Sequence, residues 1–224
     1  MRSFRVLSRL LTYPQAELFD HLDEMKGILA EEGLLKPRKL KGLFAFMDEL
    51  QATDLMDAQE VYVDLFDRGR AHCLHLFEHV HGESRFRGKA MIDLSERYRE
   101  KSLKVEASEL PDYLPLFLEF VSICEADEAQ ELLSQAVPVI ATIGEKLKRR
   151  GSGYHTVMAT VVALSGVKID KDAIQKAADA ALPDIKTLEE LDQDWVEPEA
   201  FNGAPDCGIC GTDALPGAQN PGGM

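Results

Sequence analysis

Residues 66–91, FDRGRAHCLHLFEHVHGESRFRGKAM, form the most unusual stretch of this 224-residue chain. They contain four of its six histidines, four arginines and three glycines, between two segments with the apolar spacing of amphipathic helices. The helix before the stretch should end at 67–69, since glycine commonly follows a helix C-terminus, and Ser84 is a suitable N-cap for the next helix. The charged residues are therefore predicted at helix ends, where they form either a capping and salt-bridge lattice or a binding site.

Outside this stretch, apolar residues recur every three or four positions, which is the period of an amphipathic α-helix. Pro14 should stop the first helix, because the residue before a proline disfavours helical dihedral angles. Gly33 should close the second helix, the third should start near Pro37, and the fourth should run from after Asp54 to position 66. Further helices are predicted over residues 132–147, 154–164, 173–182 and 184–195, with a kink at Pro138.

The predicted fold class is all-α, because strand-like alternation of apolar and polar residues is absent from the sequence. A single helical domain of about nine to eleven helices is expected over residues 1–196. From residue 197 the composition changes to proline, glycine, asparagine and alanine, and no lysine or arginine follows Lys186. Residues 197–224 are therefore predicted to be a disordered acidic tail, which carries the pair Cys207 and Cys210 in a C-x-x-C spacing.

The charge of the chain restricts the partners that it can bind. Lys and Arg number 25 against 39 Asp and Glu, giving a formal net charge of −14 at pH 7. This balance argues against nucleic acid, whose phosphates require a basic surface, and favours a cationic peptide segment. The N-terminus lacks the apolar core of a secretory signal, and no apolar run reaches the roughly 20 residues that cross a bilayer. We therefore expect a cytoplasmic protein without direct membrane insertion.

A second concentrated stretch, residues 109–120, reads ELPDYLPLFLEF. Pro111 suits the first turn of a helix, where its missing N–H is not needed. The apolar face that follows is broad and aromatic, and comprises Tyr113, Leu116, Phe117, Phe120 and Val121. Such a face belongs by default to the core, and the alternative is the wall of a groove that receives a partner.

A catalytic alternative rests on His75, Glu78 and His79, which match the zinc-protease pattern H-x-x-E-H. Two imidazoles four residues apart would share a helix face, with the glutamate as general base. The helix that would carry them is short, however, and no second motif supplies a third ligand.

The C-x-x-C pair in the tail lacks a second C-x-x-C or a βαβ frame, so two exposed thiols are the simpler interpretation. Cys73 and Cys124 are expected to be buried free thiols on apolar helix faces.

Taken together, these segments resemble the NarJ family, the dedicated chaperones that mature respiratory nitrate reductase, within the wider group of redox-enzyme maturation proteins. The resemblance is carried by SRLLTYP at 8–14, DAQ at 57–59, LFDRGRA at 65–71, FEHVHGESR at 77–85, RG at 87–88, AM at 90–91, ELPD at 109–112 and LPL at 114–116. The segment FEHVHGESR is the most specific of these. The family does not require a histidine at position 75, which further weakens the zinc alternative.

The resemblance implies an all-helical fold of the TorD/NarJ type, and a cytoplasmic protein that is not an enzyme and holds no cofactor. It implies binding to the N-terminal, leader-like segment of the apo catalytic (alpha) subunit of nitrate reductase. That subunit would be held while molybdenum–bis(guanine dinucleotide) cofactor and an iron–sulfur cluster are inserted, before membrane docking. Molybdenum cofactor biosynthesis proteins are further candidate partners. The alternative is a paralogous maturation chaperone that serves another molybdoenzyme.

Sixteen aromatic, apolar and charged residues around these motifs are candidates for client binding. They are Tyr62, Phe66, Asp67, Arg70, Phe77, Glu78, His79, His81, Glu83, Arg85, Arg87, Asp112, Tyr113, Leu116, Phe117 and Phe120. His79 and His81 lie beside carboxylates, and histidine changes charge near physiological pH. If they face the client, a cationic segment should bind more weakly as the pH falls. The alternative is that both histidines belong to the capping lattice.

Overall fold

Eleven α-helices make up most of the computed structural model, which describes residues 1–81, 85–103, 105 and 109–180, without the side chains at 81, 85 and 86. The helices are α1 (Arg2–Leu10), α2 (Ala16–Asp20), α3 (Leu22–Glu32), α4 (Pro37–Ala52), α5 (Leu55–Phe66), α6 (Leu76–His81), α7 (Arg85–Glu100), α8 (Leu114–Ile123), α9 (Ala126–Arg149), α10 (His155–Ser165) and α11 (Lys171–Asp179). A 3₁₀ turn, Arg70–His72, lies between α5 and α6. No strand occurs among these residues, which confirms the predicted all-α class.

All of the described residues belong to one unit of the chain, Met1–Asp184. The predicted acidic tail, its C-x-x-C pair, the helix expected over 184–195 and the domain boundary at 196 lie outside the described residues. Within the described part of the chain, no helix is both long enough and apolar enough to span a membrane.

Helix α1 lies in the centre of the core and packs against α3, α8 and α10. The side chains of Phe4, Leu7 and Leu10 are completely buried, and each contributes roughly 1.5–3 kcal/mol to the free energy of unfolding. The carboxylate of Glu32, at the end of α3, accepts the first backbone N–H groups of α1 at 2.6 and 2.7 Å. These donors have no partner within α1, so the end of α3 caps the start of α1.

The longest helix, α9, packs along α10, and two glycines permit close approach in this part of the core. A Cβ at Gly144 would lie 2.9 Å from the Cβ of Met158 on α10. At Gly153, in the turn between the two helices, an added Cβ would clash with the ring of Phe46 on α4. The close approach of the helices and the turn therefore depends on the missing side chains at these two positions.

Several helix boundaries agree with the sequence, and three details differ from it. The predicted second helix is divided at His21 into α2 and α3, although it closes at Gly33 in the left-handed conformation. Pro115, not Pro111, occupies the first turn of α8, which begins three residues later than predicted. Gly69 has a φ of −122°, so α5 ends at Phe66 without a left-handed glycine cap.

Candidate functional site

The two unusual stretches of the sequence lie side by side in the structure. An isolated antiparallel bridge pairs His75 with Tyr113. Two backbone hydrogen bonds flank it. The N–H of Leu114 donates to the carbonyl of Leu74 at 2.8 Å, and the N–H of Leu76 donates to the carbonyl of Asp112 at 3.0 Å. The bridge fixes the segment before α6 against the segment before α8, so residues 66–81 and 109–120 form one region of the structure.

The buried carboxylate of Asp112 holds this region together. Its side chain is completely inaccessible to solvent. One oxygen, Oδ2, accepts the backbone N–H of Phe77 at 3.0 Å, and the other, Oδ1, lies 3.3 Å from Nδ1 of His75. The hydrogen bond to the carboxylate raises the pKa of His75 above its usual value. Asp112 therefore satisfies a donor in the first turn of α6 and orients the imidazole next to it.

A small aromatic pocket, with a volume of about 240 Å³, lies on one side of the bridge. Its walls are Tyr13, Tyr62, Phe66, Asp67, Leu74, His75 and Tyr113. The rings of Tyr13 and Tyr62 are perpendicular, with centroids 5.7 Å apart. Those of His75 and Tyr113 are tilted by 37° at 5.5 Å. The pocket therefore offers aromatic surfaces in several orientations.

The hydroxyl groups of this pocket are ordered by hydrogen bonds. Tyr62 donates to the backbone carbonyl of Leu11 at 2.8 Å, and its oxygen lies 3.2 Å from that of Tyr113. Because the single proton of Tyr62 is used at Leu11, Tyr113 donates to Tyr62. Burial raises the pKa of both tyrosines, so both are neutral at physiological pH.

A larger groove, of about 750 Å³, lies on another part of the same region. It is lined by Arg70, Ala71, Glu78, His79, Arg87, Pro138, Val139, Thr142, Lys146, Ala173, Ile174, Ala177 and Ala180. Three alanines contributed by α11 and its C-cap leave the space that longer side chains would fill. The floor is therefore apolar, and the charged residues come mainly from the region of the 3₁₀ turn, α6 and α7.

The polar side of this groove is tied to the backbone around it. Nε2 of His79 lies 2.8 Å from the carbonyl oxygen of Cys73, and burial lowers the pKa of this histidine. The guanidinium of Arg87 forms an ion pair with Glu78 at 3.2 Å, which connects α7 to α6. Lys146 on α9 donates to the carbonyl of Ala71 at 2.9 Å. These contacts fix α6 to the residue after the 3₁₀ turn and to α7, and they fix the turn against α9.

Eight of the sixteen candidate residues line either the aromatic pocket or the groove. Tyr62, Phe66, Asp67 and Tyr113 line the aromatic pocket, and Arg70, Glu78, His79 and Arg87 line the groove. Phe77 and Leu116 are half-buried and pack on the core. The side chains of His81, Glu83 and Arg85 lie outside the described residues.

Three of the candidate residues are buried and line neither the aromatic pocket nor the groove. Phe117, Phe120 and Asp112 are 4%, 0% and 0% exposed. The aromatic face of α8 packs into the core at these positions, as its default interpretation expects, and Asp112 is enclosed by its hydrogen-bond partners. In this conformation they support the surface from beneath and do not form part of it.

The zinc alternative does not fit the side-chain geometry. Nδ1 of His75 is directed at Asp112, whereas Nε2 of His79 is bound to a backbone carbonyl. No group of three or more His, Cys, Asp or Glu residues that could hold a metal ion occurs in the described part of the chain. The thiols of Cys73 and Cys124 are free and only half-buried, and burial raises their pKa values to about 12 and about 11.

Sequence reasoning missed the contributions of distant segments to both sites. Tyr13 was not among the candidate residues, yet its ring forms a wall of the aromatic pocket. Pro138 and Val139 from α9, and the small residues of α11, form most of the groove floor. The alanines of α11 recur at positions 173, 177 and 180 on one helix face, which is the signal that could have indicated an open surface.

Comparison of the sequence with known proteins shows what the chain is similar to. The family model described as nitrate reductase delta subunit matches residues 19–158. The chain is 40% identical over 215 residues to the nitrate reductase molybdenum cofactor assembly chaperone NarJ of Escherichia coli (strain K12), covering 96% of this chain and 89% of that protein. It is 34% identical over 197 residues to the probable nitrate reductase molybdenum cofactor assembly chaperone NarW of the same organism, covering 88% and 82%. A probable chaperone NarJ of Bacillus subtilis (strain 168) is 28% identical over 162 residues, covering 72% and 86%.

Proposed function

The chain belongs to the NarJ family of nitrate reductase delta subunits, and from this membership we propose that it is a dedicated assembly chaperone of respiratory nitrate reductase. It binds the N-terminal, leader-like segment of the apo catalytic subunit in the cytoplasm. It holds that subunit while the molybdenum cofactor and an iron–sulfur cluster are inserted, and releases it before membrane docking. The protein has no catalytic turnover and retains no cofactor of its own.

The observation that carries this proposal is the groove between α6, α7, α9 and α11. Its volume of about 750 Å³ lies within the range of about 300–1,000 Å³ that is usual for ligand sites. Its floor is formed by alanines, Pro138, Val139 and Ile174, with charged residues along one side. An amphipathic helix that places its apolar face into such a groove and its polar face toward the rim is a recurring mode of peptide recognition.

The binding energy of such a complex suits a temporary partner. Each apolar side chain buried in the groove contributes roughly 1.5–3 kcal/mol, and two or three such anchors offset the loss of freedom on association. The whole chain is acidic, with a formal net charge of −14, and this charge attracts a cationic segment and accelerates the encounter. Binding of this kind protects an incomplete enzyme and remains reversible.

The proposal is tested first by purification from cells that assemble nitrate reductase. The apo catalytic subunit should be enriched with this protein, and the enrichment should disappear once the subunit carries both metal groups. Absence of the apo subunit from every preparation would refute the proposal.

A substitution in the groove tests where the client binds. Ala177→Phe fills space in the groove, whereas Gln175→Phe places the same ring on an exposed position of α11 that does not line it. Calorimetric titration with a synthetic peptide of the client's N-terminal segment should show at least about tenfold weaker binding for the first variant, about 1.4 kcal/mol, and unchanged binding for the second. Equal effects would exclude the groove as the binding site.

The identity of the client is tested by the same titration. Peptides from the N-terminal segments of several molybdoenzymes should bind with different affinities, and the nitrate reductase peptide should bind most tightly. Specificity is a difference between affinities, so equal binding of all peptides would refute a dedicated role. Preference for another molybdoenzyme would favour the paralogous chaperone.

A further inference from the structure

We infer that the aromatic pocket formed by Tyr13, Tyr62, Phe66, Asp67 and Tyr113 binds one arginine side chain of the client segment. This inference rests on the proposed function, because it assigns a second contact to the same client. The pocket is separate from the groove, since the two share no lining residue. It therefore gives the chaperone a polar specificity site beside its apolar one.

The size and walls of the pocket determine what it can hold. Its volume of about 240 Å³ is below the usual range for drug-sized ligands, about 300–1,000 Å³, and suits a single side chain. Tyr13 and Tyr62 present rings at 88° to each other, and the rings of Tyr62 and Phe66 are tilted by 55° at 4.8 Å. Aromatic walls in several orientations attract a cation through the negative faces of their rings.

The charge of the pocket selects a cation over a neutral apolar group. Asp67 contributes a carboxylate to its rim, and no lysine or arginine is among the residues that line it. The Asp67 side chain is exposed and forms no ion pair or side-chain hydrogen bond with the described parts of the chain. The imidazole in the pocket wall, His75, is already matched by the carboxylate of Asp112. An incoming positive charge would therefore meet an available carboxylate and neutral tyrosines.

Arginine fits these features better than lysine does. Its planar guanidinium stacks on aromatic rings and is less strongly hydrated than an ammonium group. Its parallel N–H groups can also donate as a pair to the two oxygens of one carboxylate, here Asp67. An ammonium group would use only one oxygen well and would lose more hydration on entering an aromatic site.

The inference is tested by replacing each arginine of the client peptide in turn with citrulline, which keeps the shape and removes the charge. In calorimetric titrations of the full-length chaperone, one replacement should weaken binding about 5- to 30-fold, the range of a largely desolvated cation–aromatic contact. Replacing the same arginine with lysine should recover only part of the affinity. Full affinity for every citrulline peptide would overturn the inference.

Variants of the chaperone identify the pocket as the site of this contact. Asp67→Asn and Tyr13→Leu should each weaken binding of the parent peptide, and neither should weaken binding of the sensitive citrulline peptide any further. Glu60→Gln, an exposed change on α5 outside the pocket, is the matched control and should leave both affinities unchanged. Additive losses from Asp67→Asn and citrulline would show that the two groups do not meet, and would overturn the inference.

A small probe separates this inference from the proposed function. If the parent peptide does not bind at all, the proposed function fails, and Nα-acetyl-arginine amide is titrated in place of the peptide. Saturable shifts of the Tyr13 and Tyr113 ring resonances in NMR spectra, absent with the citrulline analogue, would support the pocket independently of the client. Identical spectra with the two analogues would overturn it.

Discussion

Replacement of Asp112 by asparagine should expose the role of the buried carboxylate that links the two halves of the site. Asparagine has nearly the same shape. Its oxygen can accept the Phe77 N–H, and its amide can donate to Nδ1 of a neutral His75 that carries its proton on Nε2. The number of hydrogen bonds is thereby kept, while the negative charge is removed.

The expected loss of stability follows from the two contacts observed at this carboxylate, at 3.0 and 3.3 Å. A hydrogen bond to a charged group contributes about 1.5–3 kcal/mol and a neutral one about 0.5–1.5 kcal/mol. Replacing two hydrogen bonds to the carboxylate by two to a neutral amide should therefore lower the free energy of unfolding by about 2 kcal/mol. For a domain of this size that corresponds to a decrease in Tm of about 4–8 °C. Asp112→Ala leaves both donors unpaired and should lower the free energy of unfolding by about 3–5 kcal/mol.

The pH dependence of this loss tests its origin. The folded-state pKa of His75 is raised by Asp112, so the stabilisation is fully present below the unfolded value of about 6.5. It is lost as the pH rises through the higher folded pKa. The difference in unfolding free energy between wild type and Asp112→Asn should therefore be larger near pH 6 than near pH 9, by urea unfolding.

Two controls make this prediction refutable. Asp93→Asn removes an exposed carboxylate from α7 and should leave stability unchanged. The double variant Asp112→Asn, His75→Gln should be less destabilised than the sum of its single variants, because both remove the same contact. Additivity, or a loss that is identical at both pH values, would show that the pair does not stabilise the fold in this way.

Five further substitutions test the packing and the buried polar groups. Gly153→Ala should lower the free energy of unfolding by about 1–3 kcal/mol, since the added Cβ meets an aromatic ring. Gly42→Ala in α4, where an added Cβ meets no other atom, should raise it by up to about 1 kcal/mol. Urea unfolding of both variants checks the contrast. Tyr154→Phe should leave thermal stability equal or higher, because the buried hydroxyl has no partner in the described chain, whereas Tyr62→Phe should lower it by about 1 kcal/mol through loss of its hydrogen bonds. Burial lowers the folded pKa of His79, so protonation of this histidine lowers the free energy of unfolding as the pH falls below about 6.5. His79→Gln should flatten this decline in acid unfolding curves. An unchanged slope would show that His79 is not its cause.

The helices could be predicted from the sequence because their signals are local. Asp54 caps α5 by accepting the N–H of Met56 at 2.9 Å, and Pro37 stands in the first turn of α4. Gly33 closes α3 with a φ of 64°. Each of these residues acts on backbone groups within about one turn of itself, so neighbouring letters are sufficient to predict it.

The arrangement of the site could not be predicted, because it depends on pairing between distant residues. Nothing local indicates that His75 is paired with Tyr113, or that Tyr13 from the first connection closes the same pocket. Asp112 was predicted only as a candidate contact of the client, and charged residues are rarely fully buried, so its burial was not predicted. Its burial becomes intelligible only when the donors of the opposite segment are known.

The position of Asp112 explains why the two motifs of the sequence act as one unit. The carboxylate fixes the first turn of α6, whose Glu78 and His79 line the groove. The bridge beside it fixes Tyr113, which lines the aromatic pocket. A client that occupied both places would therefore bind to surfaces held by the same buried group. Loss of that group should loosen both surfaces together, whereas Ala177→Phe should affect the groove and Asp67→Asn the pocket.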